Sequence, residues 1–333
     1  MQLNSNYDNL SSNNNSEHEF SQIIQNFDKV NIKEIEPTIQ KNIYENIFEE
    51  YISIIINELT YLYLKELNEG EDRRVIKKHI IDCINNYKIN LQEIYNWLLN
   101  NQNDSNSFFW LGYFNYYGIK INSDMKKAFK LFQKAANLEN NAAQFELANM
   151  YIDGEGVDKN YDKAFELTKK LANIGHSCGI NLLGYCYYNG IGIDIDMAKG
   201  VELYQKTAKL DNCLALYNLA HMYKDGEGIE QDHNKAFELF KKSAEKEYSD
   251  GITMLGYCYN NGIGTKVNKQ KALESYQKAA NSENHYAQYS LALMHENGDG
   301  VEKNIKQAIY WYKESAKQGN ENALIKLEEL LEE

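Results

Sequence analysis

Seven histidines, five cysteines and a series of glycine-bounded loops are the residues of this 333-residue chain whose types could carry chemistry. The loops read G-x-G, with glycines at 154/156, 190/192, 226/228, 262/264 and 298/300, and Gly118 stands ahead of them with Lys120 two positions on. A phosphate cradle needs such glycines after a strand, in the order G-x-G-x-x-G or G-x-x-x-x-G-K-(S/T). Neither order occurs, and each loop follows a helical pattern, so the glycines read as helix C-caps. Acidic turns such as Asp153-Gly154-Glu155-Gly156 and Asp225-Gly226-Glu227-Gly228 lack the ligand ladder and terminal bidentate Glu of a calcium loop. His295-Glu296 has no second histidine for a zinc helix, and His176 with Cys178 falls in a turn without further ligands. Cys186 and Cys258 occupy one helical position 72 residues apart, which suits buried thiols better than a nucleophile. No G-x-S-x-G elbow is present. These residues predict no metal, no cofactor and no enzyme.

Composition narrows the class further. A net charge of -13 argues against nucleic acid, whose phosphates call for surplus Lys and Arg. A single proline leaves little to interrupt helices. The 26 tyrosines accompany many Asn, Ile and Lys, as an AT-rich genome would produce, so tyrosine content alone carries no meaning. An odd cysteine count without C-x-x-C spacing suits free thiols in a reducing compartment. The start has no basic region followed by an apolar one, and LEELLEE at the end offers no prenylation site. The most apolar stretch, 51–64, carries Asn57 and Glu58 and is too short to span a bilayer. The expectation is a cytoplasmic protein without membrane insertion.

Regular spacing is the dominant signal, and repeats are to be sought before local motifs. Gly118, Gly154, Gly190, Gly226, Gly262 and Gly298 lie 36 residues apart without an insertion. Leu111, Leu147, Leu183, Leu219, Leu255, Leu291 and Leu327 form a second column; Ala136, Ala172, Ala208, Ala244, Ala280 and Ala316 a third; Asp124, Asn160, Asp196, Asp232, Asn268 and Asn304 a fourth. Each unit reads as two helices. Helix A, as at 143–152, keeps Ala143, Leu147 and Tyr151 on one face, and glycine ends it in a left-handed conformation. The Asp/Asn column then caps helix B, as at 161–173. Its small column, Ala128, Ala164, Gly200, Ala236, Ala272 and Ala308, is followed four positions on by the larger Phe132, Thr168, Tyr204, Phe240, Tyr276 and Tyr312. A lone hairpin cannot bury its apolar face, so the units must stack. This predicts six pairs over 107–319 and a closing helix at 321–332.

The segments AAQFELANMYIDGEGVDKN (142–160) and LALYNLAHMYKDGEGIEQD (214–232), followed by K-A and K-x-A-A, resemble the Sel1-like repeat, a relative of the tetratricopeptide repeat. The resemblance implies an all-α, right-handed superhelical solenoid with helix A lining the concave wall, and a scaffolding role in protein assemblies. Lys120 breaks the pattern in the first repeat.

Outside the array, residues 1–20 read as a disordered Asn/Ser-rich leader. Residues 21–103 read as a helical region: a long helix after Pro37 ending near Gly70, a second at 71–86, and a third at 90–100 opened by the capping pattern N-L-Q-E. Two readings stay open for it, a cap on the apolar end of the array at 107–333 or a separate docking or dimerising module. The 38–100 stretch also resembles the connector that precedes such arrays in fungal-type proteins with an upstream kinase domain. No H-R-D or D-F-G motif is present.

If Ala143, Leu147 and Tyr151 pack inward, the opposite stripe of helix A faces the groove, with Glu146, Asn149 and Asp153 in the second repeat. A 72-residue alternation then sets Tyr113, Tyr185 and Tyr257 against Asn149, His221 and Leu293. The candidate protein-binding residues are Trp110, Tyr113, Asn149, Tyr185, Asn189, His221, Tyr257 and Asn261, where rings supply area and amides can bond an extended backbone. Duplication of a two-repeat unit accounts for the alternation equally. The functional expectation is a non-enzymatic scaffold or adaptor holding a peptide or protein segment in the groove. The alternative is a regulatory or docking partner of a signalling kinase.

Overall fold

The computed structural model describes the backbone of residues 37–332 and the side chains of 47–331; the leader at 1–20 and the first part of the 21–103 region lie outside the described residues. Among the described residues there are sixteen α-helices and no strand. Helices α1 (Pro37–Glu69), α2 (Arg73–Asn86) and α3 (Leu91–Asn100) precede six pairs, which are followed by α16 (Glu321–Glu332). The pairs are α4 (Ser105–Tyr117) with α5 (Met125–Asn137), α6 (Asn141–Asp153) with α7 (Tyr161–Asn173), and α8 (Ser177–Asn189) with α9 (Met197–Ala208). Then come α10 (Cys213–Asp225) with α11 (His233–Glu245), α12 (Ser249–Asn261) with α13 (Lys269–Asn281), and α14 (His285–Asn297) with α15 (Ile305–Lys317).

Two compact units divide at Ile55 and Ile56. The described part of the first is the opening of α1, which begins at Pro37, where a missing N–H and a fixed φ cost a helix nothing. The second, from Ile56 on, contains the rest of α1, α2, α3 and the whole array. In the array each helix packs on its neighbours in sequence, the arrangement of a solenoid.

Every pair closes by one mechanism. The N–H of Gly154, at φ 79°, donates to the Met150 carbonyl at 2.9 Å, and its counterparts at 190, 226, 262 and 298 do the same at φ 70–75°. The Asn160 N–H then donates to the Tyr151 carbonyl at 2.9 Å while its side chain accepts from the Lys163 N–H at 3.0 Å. Such a cap contributes about 1 kcal/mol, and it recurs at Asp124, Asp196, Asp232, Asn268 and Asn304.

The second glycine of each loop has a different cause. A Cβ on Gly264 would stand 2.0 Å from the His233 carbonyl oxygen, and one on Gly192 would stand 2.3 Å from that of Tyr161. His233 and Tyr161 open helix B of the preceding repeat, so these glycines permit repeat-to-repeat contact. The first repeat has no preceding helix B. Its Lys120 takes the same left-handed conformation, φ 59°, while remaining exposed. The departure read in the sequence is therefore an end effect of stacking.

A further left-handed column escaped the sequence reading because only two of its members are glycine. Glu139, Gly175, Asp211, Glu247, Glu283 and Gly319 all have φ between 60° and 88°. For the side-chain-bearing members this conformation costs about 1–2 kcal/mol each. Exposed ion pairs, Glu139 with Lys170, Asp211 with Lys246 and Glu247 with Lys278, offset little of it.

The core follows the columns. Ala128, Ala164, Ala236, Ala272 and Ala308 are fully buried, and Phe132, Phe240 and Tyr312 fill the space four residues on. At the far end Ala323 is buried on Tyr312 and Ala292, but Leu324, Ile325 and Leu331 of α16 remain half exposed. The closing helix thus covers its neighbour without covering itself.

Candidate functional site

The first helices of the repeats present a common face, and the chain itself lies across part of it. Tyr63, on the last turns of α1, is buried edge-on against Trp110 and Tyr113, with ring centroids 6.2 and 5.6 Å away. Trp110 donates its indole N–H to the Thr60 hydroxyl at 2.8 Å. Glu146 of α6, fully buried, accepts from the Tyr63 hydroxyl and forms an ion pair with Arg73 at the start of α2. Burial pushes the Tyr63 phenol well up, and the Glu146 carboxylate adds to it. Burial alone would lower the pKa of Arg73, but the same carboxylate overrides it and holds the guanidinium charged.

Further along, the end of α1 is read by two successive repeats, the third and the fourth. Asn68 Oδ1 accepts from the Cys178 N–H at 3.2 Å, its amide nitrogen lies 3.1 Å from His176 Nδ1, and its carbonyl accepts from Asn212 Nδ2 at 3.0 Å. Gly70 ends the helix at φ 84°, where a Cβ would strike the Asn212 side chain at 2.5 Å. Helix α2 returns to the first repeat, with Lys77 over the Tyr117 ring at 5.1 Å. Helix α3 stacks Tyr95 on Phe114 at 5.8 Å.

The candidate residues accordingly fall into two groups. Trp110 and Tyr113 are completely buried beneath α1 and are not open to a partner. Helical spacing puts them on one stripe of the helix, but it carries no information about a segment fifty residues upstream folding onto that stripe. Glu146, on the same stripe, anchors the contact. Tyr185 and Tyr257, 72 residues apart, are each 41 % exposed. Asn189 and Asn261 are exposed and Asn149 is half-buried; each donates from Nδ2 to the carbonyl four residues back at 2.9 Å, leaving its Oδ1 and one N–H available. His221 packs its ring edge-on to Phe240 at 5.1 Å, and burial, then Lys224, holds its pKa down at about 4. It is a neutral packing residue.

The acidic turns also have partners. Glu155 accepts from the Tyr116 hydroxyl and Glu227 from that of Tyr188, whose phenol this bond and burial push up to about 12. In the third such place Lys269 bridges Asn260 and Asp299 at 2.8 and 2.7 Å. The 72-residue alternation is thus partly structural, since a tyrosine in an odd repeat binds the acidic turn of the next. Caps alternate likewise. Asn140, Asn212 and Asn284 cap the A helices of even repeats, while His176 and Tyr248 fill that place in the third and fifth without a side-chain cap.

Cys178, Cys186, Cys213 and Cys258 are buried, and burial pushes their thiols up to about 11 for Cys186 and about 12 for the others. Among the described residues no three His, Cys, Asp or Glu side chains converge as metal ligands, and no helix is long and apolar enough to cross a membrane. The anchors Tyr63, Asn68, Arg73, His176 and Asn212 were not singled out as binding residues in the sequence. The one available signal was that Arg73 and Arg74 are the only arginines in the chain.

Comparison with known proteins agrees with this architecture. The Sel1 repeat family matches residues 109–140, 141–176, 179–212, 213–248, 249–284 and 285–320. A Sel1 repeat protein from Oxalobacter formigenes is similar in structure, with TM-score 0.58 and 28% identity over 65% of this chain and 89% of that one. The protective antigen c5321 of uropathogenic Escherichia coli, with an SLR fold, aligns at TM-score 0.49 and 28% identity over 86% of this chain and 66% of its own. Immunity protein Pa5087 from Pseudomonas aeruginosa shares the fold at TM-score 0.51 and 19% identity, over 64% and 81% of the two chains. No curated protein matches the chain. Six contiguous repeats of the expected length, closed by the glycine and cap columns described above, make this chain a member of the Sel1 repeat family.

Proposed function

We propose that the protein is a non-enzymatic scaffold that holds a protein segment on the A-helix face of its third to sixth repeats. Sel1 solenoids are in general scaffolds for protein–protein interaction, and stacked repeats create extended binding surfaces. One observation carries the reading to particular residues. Tyr113, Tyr185 and Tyr257 hold the same place in successive two-repeat units; the first is covered by a helix of the same chain, and the other two stand exposed. A surface that accepts one helical segment in its first half offers equivalent aromatic anchors in its second. Asn189 and Asn261 flank those anchors with free amide oxygens.

The kinase-docking alternative, through residues 38–100, gains no support from the stretch after Ile56. Ile76, Ile80 and Ile84 of α2 and Ile94 and Leu98 of α3 are already buried, and Tyr95 is stacked on the array. The test is a double change, Tyr185→Ala with Tyr257→Ala. A photo-crosslinking residue at Asn261 should capture a partner in cells with the wild-type face and lose about tenfold with the double variant, as expected for two aromatic anchors. Undiminished capture, with unchanged helicity, refutes the groove assignment.

A further inference from the structure

The surface of the first repeat differs from the rest in charge. Helix α5 carries Lys126, Lys127, Lys130 and Lys134 and no acidic residue, in a chain of net charge -13. The column that holds Glu166, Glu202, Glu238 and Glu274 in the next four repeats holds Lys130 here. The column that holds glycine in the other five repeats holds Lys120, in a left-handed conformation unfavourable to any side chain. All five lysines are exposed, and none forms an ion pair among the described residues, whereas Lys170, Lys199, Lys235 and Lys278 on other B helices do. Among the described residues only Lys134 has a close partner, the Phe108 ring at 5.1 Å.

We infer that α5 together with Lys120 is a docking face for an acidic segment of a partner protein, separate from the groove. Lys127, Lys130 and Lys134 follow the i, i+3, i+7 spacing of one helix face and span about 10 Å. Three or four extended residues of an acidic peptide cover that length. Charge complementarity selects the occupant. A nucleic acid or an anionic bilayer presents a broad negative surface that would meet the acidic remainder of the molecule, whereas a short peptide meets the lysines alone. Lys120 lies five residues ahead of the start of the helix.

The test uses the full chain and a fluorescein-labelled octaglutamate peptide, with anisotropy read at low and at physiological ionic strength. The wild type should bind with strong salt dependence, and K127E/K130E/K134E should weaken binding at least about tenfold. The equivalent reversal on a later helix, K199E/K206E, should change it less than about twofold, and K120G should weaken it about two- to threefold. If the triple reversal misfolds by thermal melt, the neutral K127Q/K130Q/K134Q carries the same expectation. No binding by the wild type at low salt overturns the inference. Equal loss in the K199E/K206E control does so too, as does tighter binding to phosphatidylserine vesicles or to single-stranded DNA.

Discussion

Removing the Glu146 carboxylate should release the segment that packs on the A helices of the first two repeats. Glu146 is fully buried and serves two partners from the N-terminal region, the Tyr63 hydroxyl and the Arg73 guanidinium, whose side chain is 30 % exposed. Breaking a fully buried ion pair by deleting one member costs about 3–5 kcal/mol, because the other charge is stranded. Partial exposure lets Arg73 rehydrate, so Glu146→Gln, which keeps an acceptor for Tyr63, should cost roughly 2 kcal/mol. Glu146→Ala also strands the Tyr63 hydroxyl and leaves a cavity, which brings the cost to roughly 4 kcal/mol. Against a typical total of about 5–15 kcal/mol this is measurable by urea denaturation. Hydrogen exchange should rise across residues 56–73 before it rises in α10 to α15. Trp110, fully buried beneath Tyr63, should shift its emission to the red in the same range of denaturant. A loss below about 0.5 kcal/mol for Glu146→Ala, or exchange that rises uniformly through the array, would refute the assignment of Glu146 as the anchor.

Two other outcomes follow from the geometry. Gly264→Ala should destabilise the array by at least about 2 kcal/mol, since it adds left-handed strain to a Cβ 2.0 Å from the His233 carbonyl oxygen. Gly319→Ala, at φ 88° with nothing within 4 Å, should cost only about 1 kcal/mol, and equal thermal shifts for the two would discount the repeat-to-repeat contact. His176 should make the stability of the α1 contact pH-dependent. Asn68 is oriented by the Cys178 N–H and so donates to His176 Nδ1, which protonation would turn from acceptor to donor. Burial holds the His176 pKa below its ordinary value, so the unfolded chain binds more protons than the folded one as pH falls through about 6.5. The contribution is complete above that pH and declines below it. His221, His285 and His295 are shifted the same way, so thermal melts of wild type and His176→Gln between pH 5 and pH 7.5 must be compared. An identical pH slope in the two removes His176 from the account.

The sequence by itself determined the repeat, its period and its closing chemistry. Gly154, Asn160 and Ala164 act within one turn or one helix pair, where residue type and spacing suffice. The same local logic located α2 and α3 and placed Tyr185 and Tyr257 on an outward stripe. Spacing along one helix could not show that Trp110 and Tyr113 are covered, because the ring that covers them, Tyr63, stands about fifty residues upstream and follows no 36-residue register. It could not show that Glu146 sits between Tyr63 and Arg73, or that the alternating acidic turns are held by Tyr116 and Tyr188 of preceding repeats. Nor did it distinguish the acidic left-handed column at 139, 211, 247 and 283 from ordinary surface residues, since glycine was the only residue type whose φ could be read. The array is a sum of neighbours and is legible from its period. What covers Trp110 and Tyr113 depends on a contact between segments that share no periodicity, and only the folded chain brings them together.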